Sequence, residues 1–267
     1  MITSSQNSRV KYVKKLSQRN FRQKERKFSV EGIRFVEEAL ASNWQMEYLL
    51  YTDQGVQGER GKGLLKQARD KGVETLEVSE SIMGELTDTE TPQGVLAVLW
   101  QPDYALGDVV KRGQQPLVVI VDGVQDPGNL GTIIRSSDAA AANGVVLLKG
   151  TVDLYNPKTL RSTMGSLFHL PVVQAEDAEG ALAYLTSLGV TLLVGEPVGG
   201  IPIFQANLQG PVGLVVGNEG SGPREAILDH KHQKVTIPMP GHAESLNVAT
   251  ATAIMLYEAV RQRYKIQ

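Results

Sequence analysis

The chain has 267 residues, 42% of them apolar, which is enough for one large or two modest globular domains. It contains no cysteine, which excludes disulfide frameworks, thiolate zinc sites and cysteine-ligated iron–sulfur clusters, and its formal net charge of -2 identifies no partner class. The sequence has neither an apolar run approaching roughly 18 residues nor a signal-peptide core, so we expect a cytoplasmic protein without membrane partners.

The first 28 residues form a basic arm. Residues 9–27 contain nine Lys or Arg against one acid, Glu25, which gives a local charge of +8. Tyr12 and Phe21 are interleaved with these charges, and cations beside stackable rings suit an RNA backbone with exposed bases. The alternative is a solvated helix whose apolar residues dock on the protein body. The candidate RNA-binding residues are Lys11, Lys14, Lys15, Arg19, Arg22 and Arg26.

Residues 29–100 are predicted to form a compact α/β domain. An extended "FSVEG" precedes an amphipathic helix in which Ile33, Val36 and Leu40 share one face. Strand patterns at "MEYLLYT", "VETLEVS" and "QGVLAVLW" alternate with helical patterns at "KGLLKQARDKG" and "ESIMGELTD". Residues 101–115 contain Pro and Gly with mixed polarity and are predicted to be a linker.

Residues 116–267 alternate short apolar strands with helices, from the strand "PLVVIV" through a helix at 130–142 to a long final helix near 246–263. This pattern predicts an α/β domain with a parallel sheet covered on both faces. In such sheets ligands bind beyond the carboxyl ends of the strands. Segments rich in Gly and polar residues are expected to form one composite site there: 121–144, 214–223 and 237–255.

The first of these segments, "VDGVQDPGNLGTIIRSSDAAAANG", joins a predicted strand to a predicted helix. Such glycine-bearing joints are typical of nucleotide phosphate sites, but Gly128 and Gly131 give only G-x-x-G, with neither a G-x-G-x-x-G nor a P-loop pattern. A nucleotide-dependent oxidoreductase is therefore disfavoured. Taken alone, Asn129 could be a helix N-cap, and Arg135 could pair with Asp138 three residues later.

The other two segments also have simple structural interpretations. Glu219 lies in a glycine-rich loop, where it is either solvated or positioned against a cation or hydroxyl of a ligand. Ser245 or Asn247 could cap the last helix. His242 and Glu244 lack a second well-spaced histidine, so no metal is expected.

Taken together, the three segments resemble the motifs of the SpoU (TrmH-type) RNA ribose 2'-O-methyltransferases of the SPOUT superfamily. The family patterns are D-P-x-N-x-G-x-I-x-R, G-x-E-x-x-G and I-P-M-x-G-x-x-x-S-L-N-V, in that order. The matching residues are Asp126, Pro127, Asn129, Gly131, Ile133 and Arg135, then Gly217, Glu219 and Gly222, then Ile237 through Val248.

The resemblance implies a trefoil-knotted C-terminal methyltransferase domain, although knots are generally avoided. It also implies a homodimer through the knotted domain, and an N-terminal ribosomal-protein-like RNA-binding domain. The implied reaction transfers a methyl group from S-adenosylmethionine to a ribose 2'-hydroxyl of structured RNA, with 23S ribosomal RNA favoured. A tRNA methyltransferase and a non-catalytic RNA-binding or ribosome assembly factor are the alternatives.

The resemblance also implies roles for individual residues. Arg135 would act at the ribose hydroxyl. A guanidinium with a pKa above about 12 is a poor base, so we expect Arg135 to orient the hydroxyl and the adjacent phosphate. Asn129, Glu219, Ser245 and Asn247 would complete the catalytic site. The residues expected to bind the cofactor are Gly217, Asn218, Ile237, Pro238, Met239 and Leu246.

Overall fold

The computed structural model describes residues 1–87, 89, 91–110 and 115–264. The chain divides into two compact units. Unit 1 comprises Met1–Asp103 and Tyr155–Arg161, and unit 2 comprises Tyr104–Leu154 and Ser162–Gln267.

Unit 1 is built on a four-stranded mixed sheet of order β1-β4-β2-β3. Strand β4 runs antiparallel to both of its neighbours, whereas β2 and β3 are parallel. The strands and helices expected from residue 29 onward are all present. The elements are α1 (Ser8–Lys15), α2 (Arg19–Glu25), β1 (Lys27–Glu31), α3 (Ile33–Ala41), β2 (Met46–Tyr51), α4 (Glu59–Asp70), β3 (Glu74–Glu77), α5 (Glu80–Leu86) and β4 (Val95–Trp100).

The basic arm is folded into unit 1 as helices α1 and α2. Val10, Val13 and Leu16 are buried in one core cluster with residues of the sheet, as the docked-helix interpretation expects. Arg22 is only 4% exposed, and its guanidinium donates hydrogen bonds of 2.6 Å to the carbonyls of Leu16 and Ser17. This burial corrects the expectation for Arg22, because a side chain that holds the turn between α1 and α2 cannot also contact RNA.

Unit 2 contains a seven-stranded sheet of order β7-β6-β5-β10-β8-β11-β9. All of its paired strands are parallel, which confirms the predicted α/β class. Its strands are β5 (Leu117–Val121), β6 (Gly144–Leu148), β7 (Val172–Ala175), β8 (Thr191–Gly195), β9 (Ile201–Pro202), β10 (Val212–Val216) and β11 (Gln233–Thr236). Its helices are α6 (Pro127–Ala139), the end of α7 (Pro157–Thr163), α8 (Ala178–Ser187), α9 (Glu225–Leu228) and α10 (Val248–Arg263).

The sheet centre places two of the predicted segments side by side. Strands β5 and β10 are adjacent and parallel, and every residue in both is buried. Because their carboxyl ends meet at the same edge of the sheet, the loops that follow residues 121 and 216 emerge next to each other. This juxtaposition is the one expected for a composite site.

The segment expected to link the domains is partly incorporated into unit 2. A short 3-10 turn at Leu106–Val109 carries Val109 into the core, and Leu106 and Val110 pack against the same core. Residues 111–114 of the expected linker lie outside the described residues. Among the described helices, none combines the length and apolar character that crossing a bilayer requires.

Candidate active site

The first candidate residue lies in the opening turn of α6. Asp126 caps this helix, because its carboxylate accepts a hydrogen bond from the backbone N–H of Asn129 at 2.8 Å, and Pro127 occupies the first helical position. The helix therefore begins at residue 127, three residues before the predicted start. The N-cap interpretation of Asn129 is wrong, and its side-chain amide remains available for other contacts.

The side chain of Asn129 connects the loop after β10 with the start of α10. Its Nδ2 donates to Oε1 of Glu219 at 3.0 Å, and its Oδ1 accepts from Nδ2 of Asn247 at 2.9 Å. Asn247 uses its own Oδ1 to cap α10, accepting from the backbone N–H groups of Ala249 and Thr250. One hydrogen-bonded chain thus joins a residue from each of the three predicted segments.

The carboxylate of Glu219 is held at this junction. Besides the bond from Asn129, it accepts from the backbone N–H groups of Gln125 at 3.3 Å and Asp126 at 3.5 Å. Burial raises the pKa of Glu219, but the hydrogen bonds from Asn129 and the backbone outweigh this effect and leave the pKa below its ordinary value. Glu219 is exposed, but these hydrogen bonds orient its ionised carboxylate as an acceptor at the junction.

Asn218 shapes the glycine-rich loop beside Glu219. Its Nδ2 donates to the carbonyl of Gly123 at 2.9 Å, while its Oδ1 accepts from the N–H groups of Gly220 and Ser221. Gly217 allows the loop to close, since a Cβ there would lie 2.2 Å from the backbone nitrogen of Pro223. The loop conformation consequently requires glycine at position 217.

A further contact, which sequence reasoning missed, fixes the end of this loop. Asp122 is fully buried immediately after β5, and its carboxylate accepts from Nε of Arg224 at 2.7 Å and from the backbone N–H of Arg224 at 2.8 Å. The pair joins the loops that follow β5 and β10. The only sequence signal was an aspartate adjoining an apolar strand.

A cavity of about 790 Å³ opens beside the hydrogen-bonded chain, within the size range of small-molecule sites. Its walls combine the apolar side chains of Ile237, Met239, Leu246 and Met255 with the backbone of the glycine-rich loop. Its lining includes eight predicted site residues: Gly217, Asn218, Glu219, Ile237, Met239, Ser245, Leu246 and Asn247. Pro238 lies between two of the lining residues in sequence and is exposed.

Arg135 is exposed on α6, one and a half turns beyond Asn129. The proposed ion pair with Asp138 is wrong, because the carboxylate of Asp138 instead contacts Nδ1 of His169 at 2.8 Å. Among the described residues, Arg135 has no hydrogen-bond or ion-pair partner. The guanidinium is therefore available to bind an anion.

The cations of the arm divide into paired and available groups. Lys14 contacts Glu85 at 2.5 Å, and Arg26 contacts Asp103 at 3.2 Å. Lys11, Lys15 and Arg19 are exposed, and within the described part of the chain they form no ion pair. No group of three or more potential metal ligands is found among the described residues.

Family models match both halves of the chain. Residues 116–257 match the SpoU rRNA methylase family, and residues 7–97 match the MRM3-like substrate-binding domain. The first match contains all three segments of the candidate site and covers more than half of the chain.

Curated relatives and solved structures cover nearly the whole chain. The 23S rRNA (guanosine(2553)-2'-O)-methyltransferase RlmP of Bacillus subtilis is 39% identical, over 96% of this chain and 97% of that protein. The 23S rRNA (uridine(2479)-2'-O)-methyltransferase of Streptomyces viridochromogenes is 34% identical, over 93% and 87%. The crystal structure of the SpoU methyltransferase AviRb from Streptomyces viridochromogenes with AdoMet matches with a TM-score of 0.89 at 32% identity, over 96% of this chain and 98% of that one. An AdoMet-bound rRNA methyltransferase from Sinorhizobium meliloti matches with a TM-score of 0.88 at 33% identity, over 99% and 98%.

Proposed function

The chain belongs to the SpoU rRNA methylase family, and from this premise we propose that it methylates a ribose 2'-hydroxyl of 23S ribosomal RNA with S-adenosylmethionine as the methyl donor. The observation that carries the proposal is the hydrogen-bonded chain of Asn247, Asn129 and Glu219 beside the cavity. These residues come from three separate segments of the chain and meet at one edge of the parallel sheet. We place the reaction in the cytoplasm.

The cavity of unit 2 suits S-adenosylmethionine. Apolar walls at Ile237, Met239 and Leu246 would provide a surface for the adenine ring, and the glycine-rich backbone of residues 217–222 lines the cavity beside them. When bound, the cofactor supplies a methyl group activated by a positively charged sulfonium. The ionised carboxylate of Glu219, also on the cavity wall, would provide a negative charge complementary to the sulfonium.

Arg135 is proposed to position the RNA. Its guanidinium carries parallel N–H donors that can contact a phosphate and the neighbouring 2'-hydroxyl oxygen together, and no internal carboxylate among the described residues competes for them. Asn129 lies on the same helix and is fixed by Glu219 and Asn247. The rate effect we assign to these residues is mainly positioning of the hydroxyl oxygen for in-line attack.

Unit 1 is proposed to bind the RNA substrate through its arm. Among the predicted RNA-binding residues, the exposed Lys11, Lys15 and Arg19 are available for phosphate contacts, and Lys14 and Arg26 become available if RNA displaces their carboxylate partners. The two similar 23S rRNA enzymes favour ribosomal RNA over tRNA as the substrate. The trefoil knot and the homodimer expected from the sequence resemblance remain parts of this proposal.

Transfer of labelled methyl groups to 23S rRNA lacking the modification tests the function. We expect the wild-type protein to label the RNA, and Arg135→Ala to reduce kcat/KM by at least about a hundredfold, as for loss of a positioning contact. Arg135→Lys should remain strongly impaired, because lysine keeps the charge but not the planar fork. Arg69→Ala, which removes an exposed arginine from α4, is the control and should retain full activity.

Three results would contradict different parts of the proposal. Failure of the wild-type protein to bind S-adenosylmethionine at millimolar concentration would favour a non-catalytic RNA-binding factor. Full activity of folded Arg135→Ala would instead retain the reaction and remove Arg135 from it. Preferential labelling of tRNA over 23S rRNA would retain the chemistry and change the substrate.

A further inference from the structure

Asp138, which lies close to Arg135 on α6, contacts a histidine and not the arginine. Asp138 is three residues further along α6, a spacing at which an arginine and an aspartate ordinarily pair. The carboxylate of Asp138 instead contacts Nδ1 of His169 at 2.8 Å, and Arg135 makes no ion pair among the described residues. The 2.8 Å contact is a hydrogen bond when Nδ1 of His169 carries the proton and donates it to the carboxylate of Asp138.

A turn with an uncommon backbone conformation precedes His169. Its residues Met164 and Gly165 are both left-handed, with φ of 51° and 95°. The left-handed region disfavours a residue with a side chain such as methionine. After this turn, residues 166–168 are buried as a short 3-10 helix, and His169 follows directly. The buried 3-10 helix contacts α6 and so places the backbone of His169 beside Asp138.

We propose that His169 is a positioning residue: by binding Asp138, it prevents that carboxylate from pairing with Arg135 and keeps the guanidinium available to RNA. This role rests on the proposed function of Arg135. Without His169, the carboxylate would turn to the arginine three residues away. It would then compete with the RNA phosphate for the guanidinium and repel the phosphate as well.

A double-mutant cycle in the methyl-transfer assay tests the proposal. We expect His169→Ala to raise the KM for RNA about two- to fivefold, the range set by surface ion pairs, with little change in S-adenosylmethionine affinity. Asp138→Asn alone should remain near the wild type. The combined His169→Ala and Asp138→Asn variant should recover wild-type KM, because the competing charge is gone.

The recovery distinguishes this role from a structural one. If His169 only stabilised the fold or contacted RNA itself, the double variant would be as impaired as His169→Ala, and that result would overturn the proposal. An unchanged KM in His169→Ala, with the wild type active, would also overturn it. Absence of methyl transfer in the wild-type protein would reject the proposed function instead. Thermal unfolding of each variant checks that the comparison is made between folded proteins.

Discussion

At the scale of single residues, the most informative group is the carboxylate of Glu219. Its hydrogen bonds to Asn129 and to two backbone N–H groups favour the ionised form, so its pKa is lower in the folded than in the unfolded protein. A group with a depressed folded pKa stabilises the protein above its unfolded pKa, and this contribution is lost as the pH falls through the folded value.

Glu219→Gln should therefore reduce stability at neutral pH, and the difference from the wild type should shrink as the pH falls below about 4.3, the ordinary glutamate value. Urea unfolding across the pH range measures this difference. Glu179→Gln, an exposed carboxylate on α8, is the control for loss of a surface charge. A Glu219→Gln difference that stays constant down to the most acid pH would contradict the assigned hydrogen bonding.

Sequence alone identified most of these residues but not what they contact. The motif pattern located Asn129, Glu219 and Asn247. Their hydrogen bonds could not be predicted from local sequence, because Asn129 is 90 residues from Glu219 and 118 residues from Asn247 along the chain. Local spacing alone allowed Asn129 to be a helix cap and Arg135 to pair with Asp138, because both are common short-range arrangements. The cap is Asp126, and the partner of Asp138 is a histidine 31 residues away.

At the scale of elements, α4 contains two glycines in contrasting surroundings. A Cβ on Gly63 would meet nothing within 4 Å, whereas a Cβ on Gly61 would lie 2.5 Å from the backbone Cα of Val56. Gly63→Ala should raise the free energy of unfolding by about 0.5–1 kcal/mol through helix propensity. Gly61→Ala should lower it by about 1–3 kcal/mol through overpacking.

Chemical denaturation of the two α4 variants checks this contrast within one helix. Equal shifts of the same sign would show that propensity alone governs both positions. The periodicity of apolar residues in the sequence predicts helices and strands but not such close contacts. Apolar spacing located α4 and the long runs of β5 and β10, but neither the close approach at Gly61 nor the two-residue strand β9 has a local sequence signature.

At the scale of the whole molecule, helix α10 bears on the expected homodimer. Tyr257 is 53% exposed on this helix, so its ring is accessible to a partner subunit. If α10 forms the interface, Tyr257→Arg should convert the dimer to monomers in sedimentation experiments. Tyr184→Arg, an exposed tyrosine on α8, should leave the association unchanged. Equal sedimentation of both variants and the wild type would exclude Tyr257 from the interface.

If the cations of the arm contact RNA phosphates, RNA binding by the whole molecule should depend on salt concentration. Each phosphate contact adds about 0.7 to the slope of log affinity against log salt for single-stranded RNA. Replacing Lys11, Lys15 and Arg19 with glutamine removes three exposed cations, so the slope should fall by about 2. Fluorescence anisotropy with a labelled 23S rRNA fragment at several salt concentrations measures it.

A matched triple variant separates specific contacts from the change in net charge. Lys62, Lys66 and Arg69 are exposed on α4, and their replacement by glutamine removes the same charge from a different surface of unit 1. This variant should keep the wild-type slope, since long-range effects of exposed charges are largely screened at about 0.15 M salt. An equal decrease of the salt slope in both triple variants would show that RNA affinity depends on net charge and not on contacts with the arm. A smaller salt slope in the arm variant alone would assign RNA binding to α1 and α2. The apolar residues of these helices pack in the core of unit 1 and leave the three cations on its surface.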